Sequence, residues 1–355
     1  MASTPYGSNT YVPSPKATGG MLVGYSRNID KFPLNRYAEL KPVSNDVGLY
    51  RTWNSREAGR ILSTDDREHM WADGQDAPHG RDELESFSHV GYRTTRRVYP
   101  YTLGDLGLKQ ADWPVLQAHA AVAGQKMMTA RTLLAQQALS TASWSSVGHL
   151  VGVNGGLLVK GQGWDNGTAT APNILNTLNY CAALVHRDTL GAVDPDSLIL
   201  VVGVDIARKM AASPEVHQYI ANSPDAKGRL IGSDKKTMNR KRYGLPDEIY
   251  GYPIVIEDTV RVTSSKGATD ALSFVMPSTE AYLVSRPGGL VGLEGTPAFS
   301  TLTGFFYEES TSEIKNDPDN RRTRGRVVTN YQYQVVSTLA GVKLTDILKD
   351  DSSGI

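Results

Sequence analysis

The stretch Pro195-Asp196-Ser197-Leu198-Ile199-Leu200-Val201-Val202-Gly203 decides how this chain is read. Its unbroken aliphatic run predicts a buried strand. A helical run follows to about Ile220, then a basic loop. Gly251-Tyr252-Pro253-Ile254-Val255-Ile256-Glu257-Asp258 then starts a second strand after a Gly-Tyr-Pro turn. Strand, helix and strand make a common unit, so the flanks carry the information. A long charged loop and a long amphipathic helix precede the unit, and a long alternating strand follows it. That order fits poorly with an enzyme.

Composition sets outer bounds. At 355 residues the chain can form two or three domains with a sizeable core. Lys plus Arg equals Asp plus Glu at 37 each, so no overall charge draws it to nucleic acid or an acidic membrane. The single cysteine, Cys181, excludes an internal disulfide framework and sits in an apolar helical run, as a buried, unreactive thiol would. The first twenty residues hold no hydrophobic block, so no secretory signal is expected. The longest apolar run, Leu198–Val202, is far below the roughly 18 residues of a membrane span. These features predict a soluble protein made in a reducing compartment.

Residues 1–45 read as an arm. Met1–Gly20 is rich in Ser, Thr, Pro and Gly, whereas Leu34, Tyr37 and Leu40 form a short apolar face that needs a surface to rest on. Residues 46–88 carry many charges, among them Arg67, Arg81, Asp65, Asp66, Glu68, Asp82, Glu83 and Glu85, punctuated by Trp53, Trp71 and Phe87. No periodic pattern fills their middle, and long loops of this kind are usually functional. Ser88–Thr102 then alternates strictly, with charges on both faces, and predicts one long strand of a hairpin that projects from the body.

Asp112-Trp113-Pro114 is a helix start, with Pro in the first turn. Leu116, Ala120, Ala123, Met127, Ala130, Leu134 and Ala138 step by threes and fours and predict a helix of about seven turns. Thr141–Asn166 reads as a loop or small hairpin with Leu157-Leu158-Val159 as a strand, and Pro172–Arg187 as a second helix. Short strands are expected at Leu272–Met276 and Glu280–Val284, and a long one at Val327–Leu339.

Enzyme signatures fail in turn. Gly203-Val204-Asp205-Ile206-Ala207-Arg208 lacks the further glycines that let a backbone approach a pyrophosphate. No phosphate loop, paired-histidine zinc helix or nucleophile elbow is present in the sequence. Asp317-Pro318-Asp319-Asn320 lacks the bidentate Glu of a calcium loop and reads as a turn. The run Lys235-Lys236-Thr237-Met238-Asn239-Arg240-Lys241-Arg242 suits phosphates or an acidic partner, with a solvated loop as the plain alternative.

Arg93-Thr94-Thr95-Arg96-Arg97-Val98-Tyr99-Pro100-Tyr101 leading to Asp112, Thr189–Asp196 before Leu198–Val202, Ala212-Ser213-Pro214-Glu215-Val216, Gly251–Asp258 and Arg326–Leu339 occur in a telling order. In that order the chain resembles the major capsid proteins of tailed bacteriophages, the Hong Kong 97 fold, from about Ser44 to Leu348. The resemblance implies an α+β fold: arm 1–45, extended loop 46–106, peripheral domain 107–192 and 321–349 with a long spine helix, axial domain 193–320, and tail 350–355. It implies a non-enzymatic subunit, without cofactor or membrane, that assembles in the host cytoplasm into the hexamers and pentamers of a virion shell around double-stranded DNA. Portal, a separate scaffolding protein and a cement protein are the implied partners. An encapsulin-type compartment around protein cargo is the alternative, and an α/β enzyme a more distant one.

Long strands and stray apolar residues then make sense if neighbouring copies cover them. Trp71, Arg67, Arg81, Arg96 and Phe87 are the candidate intersubunit contacts; Lys235, Lys236, Arg240, Lys241 and Arg242 are candidates for phosphate or acidic-partner contact. Some capsids of this family weld subunits through a loop lysine. No lysine lies between Lys41 and Lys109 here, so that amine nucleophile is missing.

Overall fold

The structure, a computed structural model, describes residues 32–53, 87–111, 114–153, 163–166, 168, 172–222, 242–265, 267–285 and 300–348. In chain order come α1 (Leu34–Tyr37), β1 (Glu39–Pro42), β2 (Val47–Trp53), β3 (Phe87–Arg93), β4 (Thr95–Gly104), α2 (Asp105–Gln110) and α3 (Val115–Thr141). Next are β5 (Leu150–Gly152), α4 (Asn173–Asp188), β6 (Leu198–Gly203), α5 (Val204–Ala211), α6 (Pro214–Asn222), β7 (Glu248–Ile249) and β8 (Tyr252–Glu257). Last come β9 (Val260–Val262), β10 (Leu272–Phe274), β11 (Glu280–Ser285), β12 (Leu302–Asp317), β13 (Arg322–Val335) and β14 (Gly341–Thr345). The expected strand at Leu157–Val159 and the Met1–Gly20 arm lie outside the described residues.

The deciding stretch is β6, the centre of a mixed sheet ordered β5-β14-β11-β6-β8-β7. It runs parallel to β8 and antiparallel to β11. Leu198, Leu200 and Val202 pack on α4 and α5 through Ile174, Leu178, Cys181, Val185 and Ile206. Ile199 and Val201 face the opposite way, onto Leu34, Tyr37, Ala135, Leu139 and Tyr282. Both faces are covered, which is why the run shows no alternation. The expected single helix to Ile220 is two, broken at Ala212-Ser213 before Pro214, whose missing N–H and ring cannot continue a preceding helix. Tyr250 and Gly251 both take positive φ, 52° and 86°, in the turn that restarts β8. Cys181 is buried, and burial pushes its thiol up to about 12, so it stays protonated.

The second sheet is ordered β1-β12-β13-β4. Its backbone is the antiparallel pair β12 and β13, joined through the turn at Asp317–Arg321. β12, at 16 residues, has no counterpart in the sequence reading, and it pairs along its length with β13 across the boundary expected at 320/321. β13 starts at Arg322 and ends at Val335, earlier at both ends than expected. The expected strand Ser88–Thr102 is two, broken at Thr94, whose N–H and Oγ1 both donate to the Asp46 carbonyl at 2.8 and 3.1 Å. Only the first half belongs to the projecting hairpin. The second half, β4, docks on β13 and turns Tyr101 toward the long helix, over Gly325, where any Cβ would fall inside the Tyr101 ring.

α3 begins one residue after Pro114, whose carbonyl accepts the Ala118 N–H at 3.2 Å, and at 27 residues it is about 40 Å long. Its buried face departs from the expected one. Ala123 and Met127 are buried, but so are Met128, Arg131, Thr132, Ala135, Gln136 and Leu139, while Leu116, Ala130, Leu134 and Ala138 are only partly so. The reason is the surface beneath. Arg131 donates to Thr329 Oγ1 at 2.9 Å, and its guanidinium lies 4.7 Å from the Phe306 ring and 5.0 Å from that of Tyr331. Gln136 donates to the Tyr282 hydroxyl at 3.2 Å. Polar side chains with partners can be buried, so apolarity alone did not mark the face.

The described part of the arm, from Phe32, also has its surface within the same subunit, not on a neighbour as expected. Leu34, Tyr37 and Ala38 are core residues, and only Leu40 remains exposed. The Tyr37 hydroxyl donates to the buried Glu257 carboxylate at 3.0 Å, which Thr259 also contacts through its hydroxyl at 2.5 Å. Burial pushes the Glu257 carboxyl above its ordinary range, and the hydrogen bonds from Thr259 and Tyr37 oppose that shift. β1 then pairs in parallel with Thr303–Phe306.

Candidate functional site

Among the described residues, three surfaces lack the cover that strands normally receive. The first is the two-stranded hairpin β2–β3, paired from Val47↔Arg93 to Trp53↔Phe87. A lone two-stranded hairpin is marginal in water. Here its inner face is pinned: the Tyr50 and Tyr92 rings stack on Phe305 at 5.7 and 4.7 Å. The outer face shows Val47 and Leu49, 58% and 67% exposed, with Gly91 opposite Leu49 keeping it flat.

The second is the ribbon β9–β10. Val262 faces Leu272 across the ladder, 57% and 68% exposed, and Val260 faces Phe274. This apolar strip stands on one face; Arg261 and Ser273, hydrogen-bonded at 3.3 Å, share the other.

The third surface is the side of the β12–β13–β4 sheet turned away from α3. Strand alternation sends Val327, Thr329 and Tyr331 toward the helix and Arg322, Arg324 and Arg326 the other way. Opposite them on β12 stand Asp317, Lys315 and Glu313. Asp317 accepts from Arg322 at 3.0 Å and Arg324 at 2.9 Å, and Glu313 from Arg326 at 2.7 Å. Arg322, then Asn320, hold the Asp317 carboxyl below its ordinary range. On β4 the same face carries Arg96, Val98, Pro100 and Thr102, all exposed.

Among the contacts expected from sequence, Trp71, Arg67 and Arg81 lie outside the described residues. Phe87 opens β3 at the far end of the hairpin, paired with Trp53. Arg96 sits on β4 opposite Asn330, exposed, on the arginine-bearing face. Lys235, Lys236, Arg240 and Lys241 lie outside the described residues, and Arg242 opens a tight turn in which Tyr243 takes φ 59°. The ladder Arg322, Arg324 and Arg326 was missed. Its signal was present in Arg322-Thr323-Arg324-Gly325-Arg326, a period-two pattern just ahead of where the strand was expected to begin. No group of three or more His, Cys, Asp or Glu among the described residues could hold a metal ion. None of the described helices is long and apolar enough to cross a membrane.

No protein-family model and no curated protein matches the chain. Solved structures do. A chain of the mature capsid of bacteriophage PhiM1 is 12% identical, with 92% of this chain and 89% of that one covered at a TM-score of 0.54. A chain of the capsid of cyanophage P-SCSP1u is 10% identical, with 92% and 90% covered at 0.55. The chain has a phage-capsid fold. A phage-related protein from Bordetella bronchiseptica RB50 aligns similarly, at 13% identity, 89% and 91% coverage and a TM-score of 0.54. Identity at this level passes on the fold and no residue roles. The phage-capsid fold of this chain therefore has to be read for contacts from its own uncovered surfaces.

Proposed function

We propose that this is a phage major capsid protein, a structural subunit that self-assembles into an icosahedral shell enclosing double-stranded DNA. The observation that carries the reading is the alignment of about nine tenths of the chain with the PhiM1 and cyanophage capsid chains. The three uncovered surfaces support it, since repeated copies would cover them. In this reading the chain divides into arm 1–45, extended loop 46–106, peripheral domain 107–192 and 321–349, axial domain 193–320 and tail 350–355. Hexamers and pentamers of the chain, a portal, a separate scaffolding protein, a cement protein and packaged DNA belong to the same proposal, as do assembly in the host cytoplasm and residence in the virion. The encapsulin-type alternative has no observation that favours it over the capsid.

Negative-stain microscopy of the purified protein should show closed shells or capsomers; a monomer at every concentration tested overturns the reading. Nuclease-protected double-stranded DNA inside native particles separates a phage shell from a compartment, which would hold protein instead.

The shell should also lack covalent cross-links between subunits. The loop's cations, Arg51, Arg56, Arg60, Arg67, Arg81, Arg93, Arg96 and Arg97, are guanidinium groups, which suit paired carboxylates rather than amide chemistry. Mature particles boiled in detergent should run as one band near 38.6 kDa, and a ladder of covalent oligomers would refute this.

A further inference from the structure

We propose that the apolar strip of the β9–β10 ribbon is a self-docking surface, covered by the same ribbon of a second copy of this chain. The inference rests on the shell reading and adds one contact to it.

The ribbon is a built projection rather than a slack loop. Val275 N–H donates to the Thr259 carbonyl at 2.9 Å, three paired rungs follow, and Thr263 N–H donates to the Ala271 carbonyl at 2.8 Å. Five rungs stand about 17 Å tall at roughly 3.4 Å each. The root is fixed in the core. Val275 and Met276 are buried, and Thr259 holds the buried Glu257 carboxylate through its N–H at 3.2 Å and its hydroxyl at 2.5 Å. Among the described residues no third strand joins the ladder.

Its two faces differ in kind. Arg261 and Ser273 share one face and bond each other, which suits water. The other face is the strip, with Val260 and Phe274 in its inner rung and Val262 and Leu272 in its outer rung. Among the described residues Leu272, at 68%, is the most exposed large apolar side chain. A two-stranded ribbon is marginal in water by itself, and this one turns its apolar rungs outward.

Size and charge identify the occupant. Four side chains offer on the order of a few hundred Å², against about 800 Å² per partner in a stable interface. A free protein would not be retained by so small a strip. A second copy held nearby by its other shell contacts would be, because tethering makes the docking effectively intramolecular. The strip carries no charge, since Arg261, Lys266 and Asp270 are the only charged residues between Thr259 and Val275 and none stands on its rungs. Packaged DNA therefore finds no cation there to pair with its phosphates. A ribbon approaching in the opposite direction sets its outer rung over the inner rung of the first, so the strip is its own apolar complement.

The test traps the contact through cysteine. Cys181, the only native thiol, is buried, so Val262→Cys places one accessible thiol on the strip. In assembled Val262→Cys particles, a short bis-maleimide that spans the roughly 10 Å between packed sheets should turn about half of the subunits into a covalent dimer. The unassembled subunit at the same concentration, and Arg261→Cys particles with the thiol on the opposite face, should give roughly tenfold less. Leu272→Cys repeats the test at the facing position. V262D/L272D should lower shell yield roughly tenfold and leave the subunit's melting transition in place, because each contact would then bury unpaired carboxylates. Particles of both strip cysteines without the dimer, or equal dimer from Arg261→Cys, overturn the proposal. A linked band that is not a multiple of the subunit mass would assign the strip to a different protein and also overturn it. Lowered melting of the isolated aspartate variant would place the cover within the same subunit, a third refutation. Wild-type protein that forms no shells removes the shell reading and this inference together; shells whose strip cysteines stay unlinked remove this inference alone.

Discussion

Replacing Ser63–Glu85 with a short Gly-Ser turn is expected to abolish shell formation and leave a soluble subunit that still melts cooperatively. Leu84 is the only Leu, Ile or Val in that stretch, far too little apolar area to belong to a core. The described cores close without it. One lies between α4 and the six-stranded sheet, another beneath the C-terminal half of α3, and a third beneath its N-terminal half. The hairpin that carries the segment has its own support in the Tyr50 and Tyr92 rings on Phe305. Its strands end at the paired positions Trp53 and Phe87, so a shortened connection need not distort the ladder. Size-exclusion chromatography and calorimetry would give the two readouts. Aggregation, or loss of the thermal transition, would place the segment inside the fold and contradict the assignment. Trp71→Ala, in the full-length chain, should reproduce part of the assembly loss if that residue is the buried anchor of the contact.

The fold was legible where a residue's environment is set by one local pattern. β6 reads directly because both of its faces are apolar, and α4 because Ile174, Leu178, Cys181 and Val185 recur at helical spacing on one buried side. α3 was legible in extent but not in orientation. Its buried face includes Arg131 and Gln136, whose partners Thr329 and Tyr282 come from strands roughly 150 to 200 residues away. Nothing local records such a partner. β12 stayed hidden for a related reason. Its outer part, Ser312–Asp317, is largely exposed and, apart from Ile314, polar, so hydrogen bonding to β13 defines it rather than a hydrophobic rhythm.

The candidate surfaces divide in the same way. Excess charge in the loop and Arg96 on an alternating strand could be read residue by residue. The arginine ladder becomes a surface only when β12, β13 and β4 lie side by side, which brings residues near 100, 315 and 324 onto one face. The arm misled for the converse reason. Leu34 and Tyr37 advertise a need for cover, and a sequence cannot tell whether that cover lies on the same subunit or the next. Tyr37, hydrogen-bonded to Glu257 220 positions away, settles it in favour of the same subunit.

Glu215→Ala should cost about 3 kcal/mol of subunit stability, a large effect for one side chain. Glu215 is fully buried, and its carboxylate faces the N-terminus of another helix. Oε2 accepts the N–H groups of Asn173 and Ile174 at 2.8 and 3.0 Å, and Oε1 accepts that of Leu175 at 3.1 Å. These are donors that the first turn of α4 cannot satisfy internally. The Tyr250 hydroxyl adds a fourth hydrogen bond at 3.0 Å, which ties the turn before β8 to the same carboxylate. Glu215 also lies in the first turn of α6, so one carboxylate meets the N-terminal turns of two helices. Truncation would strand three N–H groups, those of Asn173 and Ile174 buried and that of Leu175 partly so, each worth about 1 kcal/mol when left unpaired. Glu215→Gln keeps one acceptor oxygen and should lose about half as much, and Tyr250→Phe about 1 kcal/mol. Urea unfolding of the three variants checks the order. If Glu215→Ala shifts the midpoint no more than Tyr250→Phe, the carboxylate is not what anchors α4 to α6.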